Sequence, residues 1–321
     1  MKKLWSRLGV LLPCLLMAAP AAFASDPGTI DTGDTAWVLI SAALVFIMTP
    51  GLGFFYGGMV RNKNVLTTIM QSFFIVAMIS VEWLILGYAM TFGTDVNGFI
   101  GSLDKLGLAG VGMNVLEGGT IPELAFVAFQ CMFAVITPAL ITGAFAERVK
   151  FRAFTFFILF WAIFIYNPMA HWVWGGGFLA ELGALDFAGG LVIHILSGVS
   201  GLTLCMLIGK RKGYGKSAML PHNLPMTVLG ATLLWFGWFG FNAGSALGAN
   251  GLAANAFIAS QGAAAAATVS WVLLEWVRSG KPTVLGAASG CIAGLVAITP
   301  AAGFVAPMPA IFIGFVGGAV C

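Results

Sequence analysis

Long apolar runs alternate with short polar joints along this chain. The runs fall near 36–60, 65–93, 123–146, 153–175, 187–209, 224–246, 251–277 and 284–299, and a further run, 307–321, is cut off at the last residue. A bilayer core about 30 Å thick needs roughly 20 apolar residues as helix, and the runs are of that order. Lipid offers the backbone no hydrogen-bond partner, so each run must satisfy its own amides as a helix. The runs are too long and continuous for the strands of a barrel. The pattern predicts an all-α polytopic membrane protein whose ninth span is truncated.

Composition agrees, with 60% hydrophobic residues and only 8% charged ones. Charge placement says more than the net +3, which is too small to suggest nucleic-acid binding. Arg61 and Lys63 follow the first run, Arg148, Lys150 and Arg152 the third, Lys210, Arg211, Lys212 and Lys216 the fifth, and Arg278 and Lys281 the seventh. The opposite side holds one base, Lys105, and most of the acids: Asp26, Asp31, Asp34, Asp95, Asp104, Glu117, Glu123, Glu181 and Asp186. The positive-inside rule predicts that the basic side is cytoplasmic. The first residues, "MKKLWSRLGVLLPCLLMAAPAAFAS", have a basic front, an apolar stretch and a small-residue Ala22-Phe23-Ala24 end. They read as a signal peptide over 1–24, which puts the mature N-terminus outside, in agreement with the charge rule. Most of the outer acids read as loop solubilisers. Cys131, Cys205, Cys291 and Cys321 lie in apolar runs and read as packing residues.

Glycine, at 43 residues, is well above the usual ~7% and sits inside the runs, which predicts close helix packing. "GLGFFYGG" (51–58) and "GWFGFNAG" (237–244) are alike and would be corresponding members of two inverted five-helix repeats. "DFAGGLVIHI" (186–195) puts an acid and a histidine at the front of an apolar run. Asp186 suits a helix N-cap for the amides of Ala188 or Gly189, so Asp186→Asn is expected to keep most of the cap and lose the charge. His194 lies about 12 Å further along a helix, on a stripe of small residues, Gly190, Ser197 and Gly201, so it points into the bundle. An intramembrane histidine is a functional candidate, with a packing histidine as the alternative. His171 and His222 read as structural. Glu82, inside the second run, reads either as a neutral acid hydrogen-bonded between helices or as an interfacial one.

The motifs "GGMVRNKNVL", "AHWVWGGG", "DFAGGLVIHI", "GKRKGYGK", "PHNLP", "WFGFNAGSA" and "ASGCIAGLVAITPAAG", in that order, resemble the Amt/Mep/Rh ammonium transporter family, bacterial Amt type. The resemblance covers nearly all of 25–321. It implies an ammonium-transporter-like bundle of two inverted five-helix repeats, incomplete at the C-terminus, assembled as a homotrimer in the bacterial inner membrane. It implies carriage of ammonium, ammonia and methylammonium by a transporter and not an enzyme, without cofactor, metal or nucleic acid. By resemblance, Trp174 and Ser245 belong to an outer vestibule, and Phe133 and Phe241 are the rings closing it. Asp186 is an essential acid near it, His194 a pore histidine, and Trp238 and Thr299 flank the path. A second pore histidine, an eleventh helix and a tail that docks PII-type regulatory proteins would lie past Cys321. Membrane lipid is the remaining partner.

An ammonium sensor of the same family is the alternative. A haem protein using His171 and His194 is a second, and would require the two histidines to face each other at one depth. Nothing in the chain resembles a nucleotide loop or a hydrolase triad.

Overall fold

The computed structural model describes residues 29–321, so the expected signal peptide lies outside the described residues. Eight helices are long and apolar enough to cross a membrane: α1 (Thr32–Met59), α2 (Asn62–Phe92), α3 (Glu123–Phe145), α4 (Phe151–Glu181), α5 (Gly190–Ile208), α6 (Leu224–Ala243), α7 (Gly251–Ser279) and α8 (Val284–Ala301). A shorter apolar helix, α9 (Pro307–Val320), follows. The chain is a multi-pass membrane protein. The helix of α4 proper ends at Trp174, as expected, and a single separate helical turn, Phe178–Glu181, follows a break at 175–177; α5 starts three residues later than expected, at Gly190.

Polar residues at the joints start the helices. Asp31 accepts from the Asp34 amide, Asn223 from Met226, Asn250 from Leu252 and Ala253, and Thr283 from Gly286. Pro50 and Pro138 stay inside α1 and α3, as membrane helices allow. Four helices widen into a π turn, at Trp83–Gly87, Ala162–Tyr166, Gly190–Ile195 and Phe239–Ala243. Hydrophobic periodicity does not reveal these turns. A hairpin of two short antiparallel strands, β1 (Asp95–Val96) and β2 (Ile100–Gly101), follows α2.

Both glycine-rich motifs lie on the seam where α1 and α6 cross at backbone distance, but each packs against the other helix outside its motif, 51–58 against the first half of α6 and 237–244 against the first half of α1. A Cβ on Gly58 would lie 2.2 Å from the Thr227 hydroxyl oxygen, and one on Gly230 would lie 2.2 Å from the Phe55 amide nitrogen. On Gly237 it would meet Met48 Cγ at 2.2 Å. A second seam joins α7 to α8 and α9. There Gly294 and Gly314 would place a Cβ 2.5 and 2.1 Å from the Ala263 carbonyl oxygen. Dispersion packing between smooth helix faces replaces the hydrophobic driving force that lipid removes.

The basic joints gather at one end of the bundle. Arg61 donates to Glu147 from its amide and guanidinium and to the Lys212 carbonyl. Arg148 donates to the carbonyls of Gly209 and Ala144. Burial alone would raise the Glu147 carboxyl, but the Arg61 hydrogen bonds, with Asn64 close by, pull it down to about 2. At the other end most acids have structural work, which corrects the reading of them as loop solubilisers. Asp34 ties Thr120 to the Ala249 amide, Asp104 accepts from Thr94, and Glu123 accepts from Lys105 and Tyr88. Cys131 and Cys291 are buried as expected, whereas Cys205 is half-buried and Cys321 exposed.

The α1–α6 seam predicts that Gly230→Ala lowers stability by about 1–3 kcal/mol, an overpacking cost, since the added carbon meets backbone. Gly112→Ala, in open space, serves as the neutral control. Thermal melts in detergent compare them, and equal melting points would show that the seam has slack. Because the folded Glu147 carboxyl is depressed, its contribution is present above its ordinary value of 4.5 and is lost as pH falls toward about 2. Glu147→Gln should remove that acid-dependent part of the melting curve.

Candidate functional site

The beginning of α5 is built around one carboxylate. Gly189 takes a left-handed φ of 107°, which turns the chain sharply and starts the helix in its wide turn. The first amides then converge. Asp186 Oδ1 accepts from Gly189 (2.9 Å) and Gly190 (2.7 Å), and Oδ2 accepts from Leu191 (2.9 Å) and Val192 (3.0 Å). The expected cap therefore exists but is larger. Ala188 takes no part, and four amides replace the one or two anticipated. Asparagine keeps only one acceptor oxygen and would point its own donors at Leu191 and Val192, so the expectation that it preserves most of the cap is corrected.

The same residue fixes its neighbours. Its backbone carbonyl accepts from the Trp174 indole at 3.0 Å, which ties the end of α4 to the start of α5. The Phe187 amide donates to the Pro300 carbonyl at 3.1 Å, which ties in α8. Gly190 faces the Pro300 ring, Ser197 is buried, and Gly201 faces Ala144, so the small-residue stripe looks into the bundle as expected.

Above this joint, at the acidic end, lies a cavity of about 300 Å³. Trp174, Ser245, Asp186 and Phe133 line it. Phe133 and Phe241, both buried, form an edge-on pair at 4.6 Å between ring centroids, and Trp174 tilts over Phe133 at 6.0 Å. Beneath Phe241 the His194 ring stacks at 5.8 Å with planes 16° apart. Trp238 lies 5.3 Å from the imidazole and donates its indole N–H to the Thr299 hydroxyl at 2.9 Å. All eight site residues expected from the sequence are thus joined through the cavity lining and a chain of contacts that leads to the half-buried histidine. His194 Nε2 is buried and has no hydrogen-bond partner.

The sequence did not single out Phe92, Phe126, Phe129, Gln130 and Phe304, which also line the cavity. The phenylalanines carried no distinguishing signal among 27. Gln130 did, as a polar residue inside an apolar run, and it is only 8% exposed. Elsewhere His171 is wholly buried, with Nδ1 2.8 Å from the Thr91 carbonyl and Nε2 2.8 Å from Asp95 Oδ1. That structural role leaves no ring nitrogen for an iron. Glu82 is buried and accepts from Asn167 at 2.8 Å, between α2 and α4, so the interfacial reading of it gives way to the interhelical one.

A sequence model of the Ammonium Transporter Family matches residues 36–321. The chain belongs to the ammonium transporter family. An ammonium transporter of Bacillus subtilis (strain 168) is 56% identical over 290 residues, covering 90% of this chain and 71% of that protein. The crystal structure of Candida albicans Mep2 matches with a TM-score of 0.86 at 36% identity, covering 91% of this chain and 66% of that one. A solved "Sensor Amt Protein" matches with a TM-score of 0.84 at 30% identity, covering 90% and 73%. Like these ammonium transporter relatives, the chain folds as an all-α bundle of inverted repeats, and its family is one of transporters, not enzymes.

The cap predicts a test within the ammonium transporter fold. In Asp186→Asn the amides of Leu191 and Val192 lose their acceptor, so hydrogen exchange at the start of α5 should speed up about tenfold or more, since a charged hydrogen bond is worth about 1.5–3 kcal/mol. Unchanged exchange there would mean that the carboxylate is not what holds the turn.

Proposed function

We propose that this protein carries ammonium across the bacterial inner membrane by releasing its proton and passing ammonia along a dry path. The observation that carries the reading is the continuous column from the cavity through Phe133 and Phe241 to His194. In this reading the acidic end faces the periplasm, as does the mature N-terminus, and the basic end faces the cytoplasm.

The chemistry follows from residue types. The Trp174 indole offers a cation a π face, worth about 0.5–2 kcal/mol. The Ser245 hydroxyl spends its proton on the Phe241 carbonyl at 2.8 Å, so its lone pairs remain for an ammonium N–H. Gln130 adds a side-chain amide to the cavity wall. Asp186 holds negative charge at the mouth, although its oxygens are committed to amides, so it acts through its field and not by contact. Below the Phe pair, a full charge would be stripped of water at great cost. Ammonium avoids that cost by giving its proton to water in the outer cavity and crossing as ammonia, which takes a proton from water on the far side. Potassium, of similar size, has no proton to give. A neutral His194 then serves ammonia as donor or acceptor, and its unpartnered Nε2 is suited to that contact. Trp238 and Thr299 hold each other and thereby fix one wall beside the imidazole.

The remaining expectations belong to the same proposal. Residues 25–321 form one transporter domain that assembles as a homotrimer. The exposed apolar side chains Leu202, Met206 and Leu207 on α5 then face lipid or a neighbouring copy. Methylammonium is a further substrate, and PII-type regulation belongs to the full-length form. The likeness to a sensor keeps ammonium sensing as the second reading.

Ammonium flux and current recorded together from proteoliposomes of the full-length form test the proposal. Saturable uptake is expected, and Trp174→Leu should weaken apparent affinity by up to about tenfold, the upper end of one cation–π contact. Uptake indistinguishable from empty liposomes would refute carriage and favour sensing. Unchanged affinity and unchanged selectivity over potassium in Trp174→Leu would reduce that residue to an interfacial anchor.

A further inference from the structure

A second polar cavity, of about 480 Å³, opens at the basic end, between the start of α2 and the joint that leads into α4. Asn64, Thr67 and Gln71 line it from one side, and Glu147, Arg148 and Lys150 from the other. Its hydrogen-bond inventory is unbalanced. Both Glu147 oxygens are engaged by Arg61, from the amide at 2.9 Å and from Nε at 2.6 Å, so the one carboxylate in the wall is already neutralised. Arg148 spends its two terminal nitrogens on the carbonyls of Ala144 and Gly209. That fixes the guanidinium and leaves its Nε buried without a partner. Asn64 Nδ2 is also buried, and it lies toward Glu147 without completing a hydrogen bond. The Gln71 side chain lines the same space, is only 4% exposed, and pairs with no described residue.

Buried N–H groups without acceptors are costly, so a site that collects them is built for an acceptor. Positive charge surrounds it. Lys150 stands exposed at the rim, and α2 and α4 both begin here without a side-chain cap, each contributing the positive end of its dipole. Such a site suits a compact anion with several oxygens. Just outside, α2 presents Leu66 (81% exposed) and Phe73 (65% exposed), an apolar surface leading away from the cavity along the helix. Arg148 and Lys150 lie where α4 enters the membrane, the level at which lipid headgroups sit.

We propose that this cavity binds one phosphate group per chain, that of an anionic lipid whose acyl chains lie along α2. Free phosphate presents the same oxygens, and the two sources are separated by experiment. This site is remote from the ammonium path, so it stands or falls independently of the transport proposal.

Native mass spectrometry of the purified chain in detergent counts bound dioctanoyl phosphatidylglycerol. One tightly held lipid per chain is expected, with dioctanoylglycerol, which lacks the phosphate, failing to bind. Gln71→Leu combined with Lys150→Ala should weaken the lipid about tenfold, the loss of one charge-assisted contact. Arg148 is left intact because it holds two helix ends. Lys150→Glu changes only an exposed position and guards against misfolding of the double variant; it too should weaken binding. Displacement of the lipid by millimolar inorganic phosphate would keep the site and assign it to free phosphate, and its failure to displace would assign it to lipid. Equal binding of dioctanoylglycerol, or undiminished phosphatidylglycerol binding in Lys150→Glu, would overturn the proposal.

Discussion

Four backbone amides on one carboxylate hold the working part of this molecule together. A helix beginning inside a bilayer leaves its first N–H groups without partners, and lipid cannot supply any. Asp186 supplies two oxygens to all four amides from Gly189 to Val192. Its carbonyl takes the Trp174 indole, and the next amide takes the Pro300 carbonyl. Three helices are thereby fixed at a point, and the cavity above and the imidazole below both take their position from it. The charge that satisfies the amides is the same charge to which the proposed function assigns the attraction of a cation, so a neutral substitution alters both at once.

The described spans were legible because lipid imposes a simple rule on length and polarity, and the basic joints were legible because they gather at one end. Residue roles along the column came from ordered motifs. The features that stayed hidden did so for physical reasons. The wide turns at Trp83, Ala162, Gly190 and Phe239 shift the register of side chains without changing composition. The start of α5 moved to Gly190 because Gly189 adopts a left-handed turn, which an apolar pattern does not encode. Gln130 and the surrounding phenylalanines become cavity walls only when α3 meets α4 and α6. The structural use of Asp34, Asp104 and Glu123 depends on partners from distant joints.

Two of the wide turns adjoin buried polar residues. Glu82 precedes the turn in α2, and Asn167 succeeds the turn in α4; the two side chains meet at 2.8 Å. A π turn inserts an extra residue into a helix and re-aims the side chains beyond it, and such turns recur where side chains must converge. In α5 the turn contains His194, and in α6 it contains Phe241, the ring stacked on that histidine. The irregularities therefore align groups from different helices that regular helices would not bring into one line.

The crossing of α1 and α6 has a consequence for movement. Backbones that touch at Gly58, Gly230 and Gly237 leave no void into which one half could slide past the other. Rocking of repeats, the usual means of opening a carrier to alternate sides, operates on microsecond-to-millisecond timescales and needs a yielding interface. Here the frame is stiff and the closed points are single rings. Under the proposed function, throughput would be set by reorientation of Phe133 and Phe241 within a fixed scaffold, and the architecture would work as a sieve with two shutters rather than a hinge.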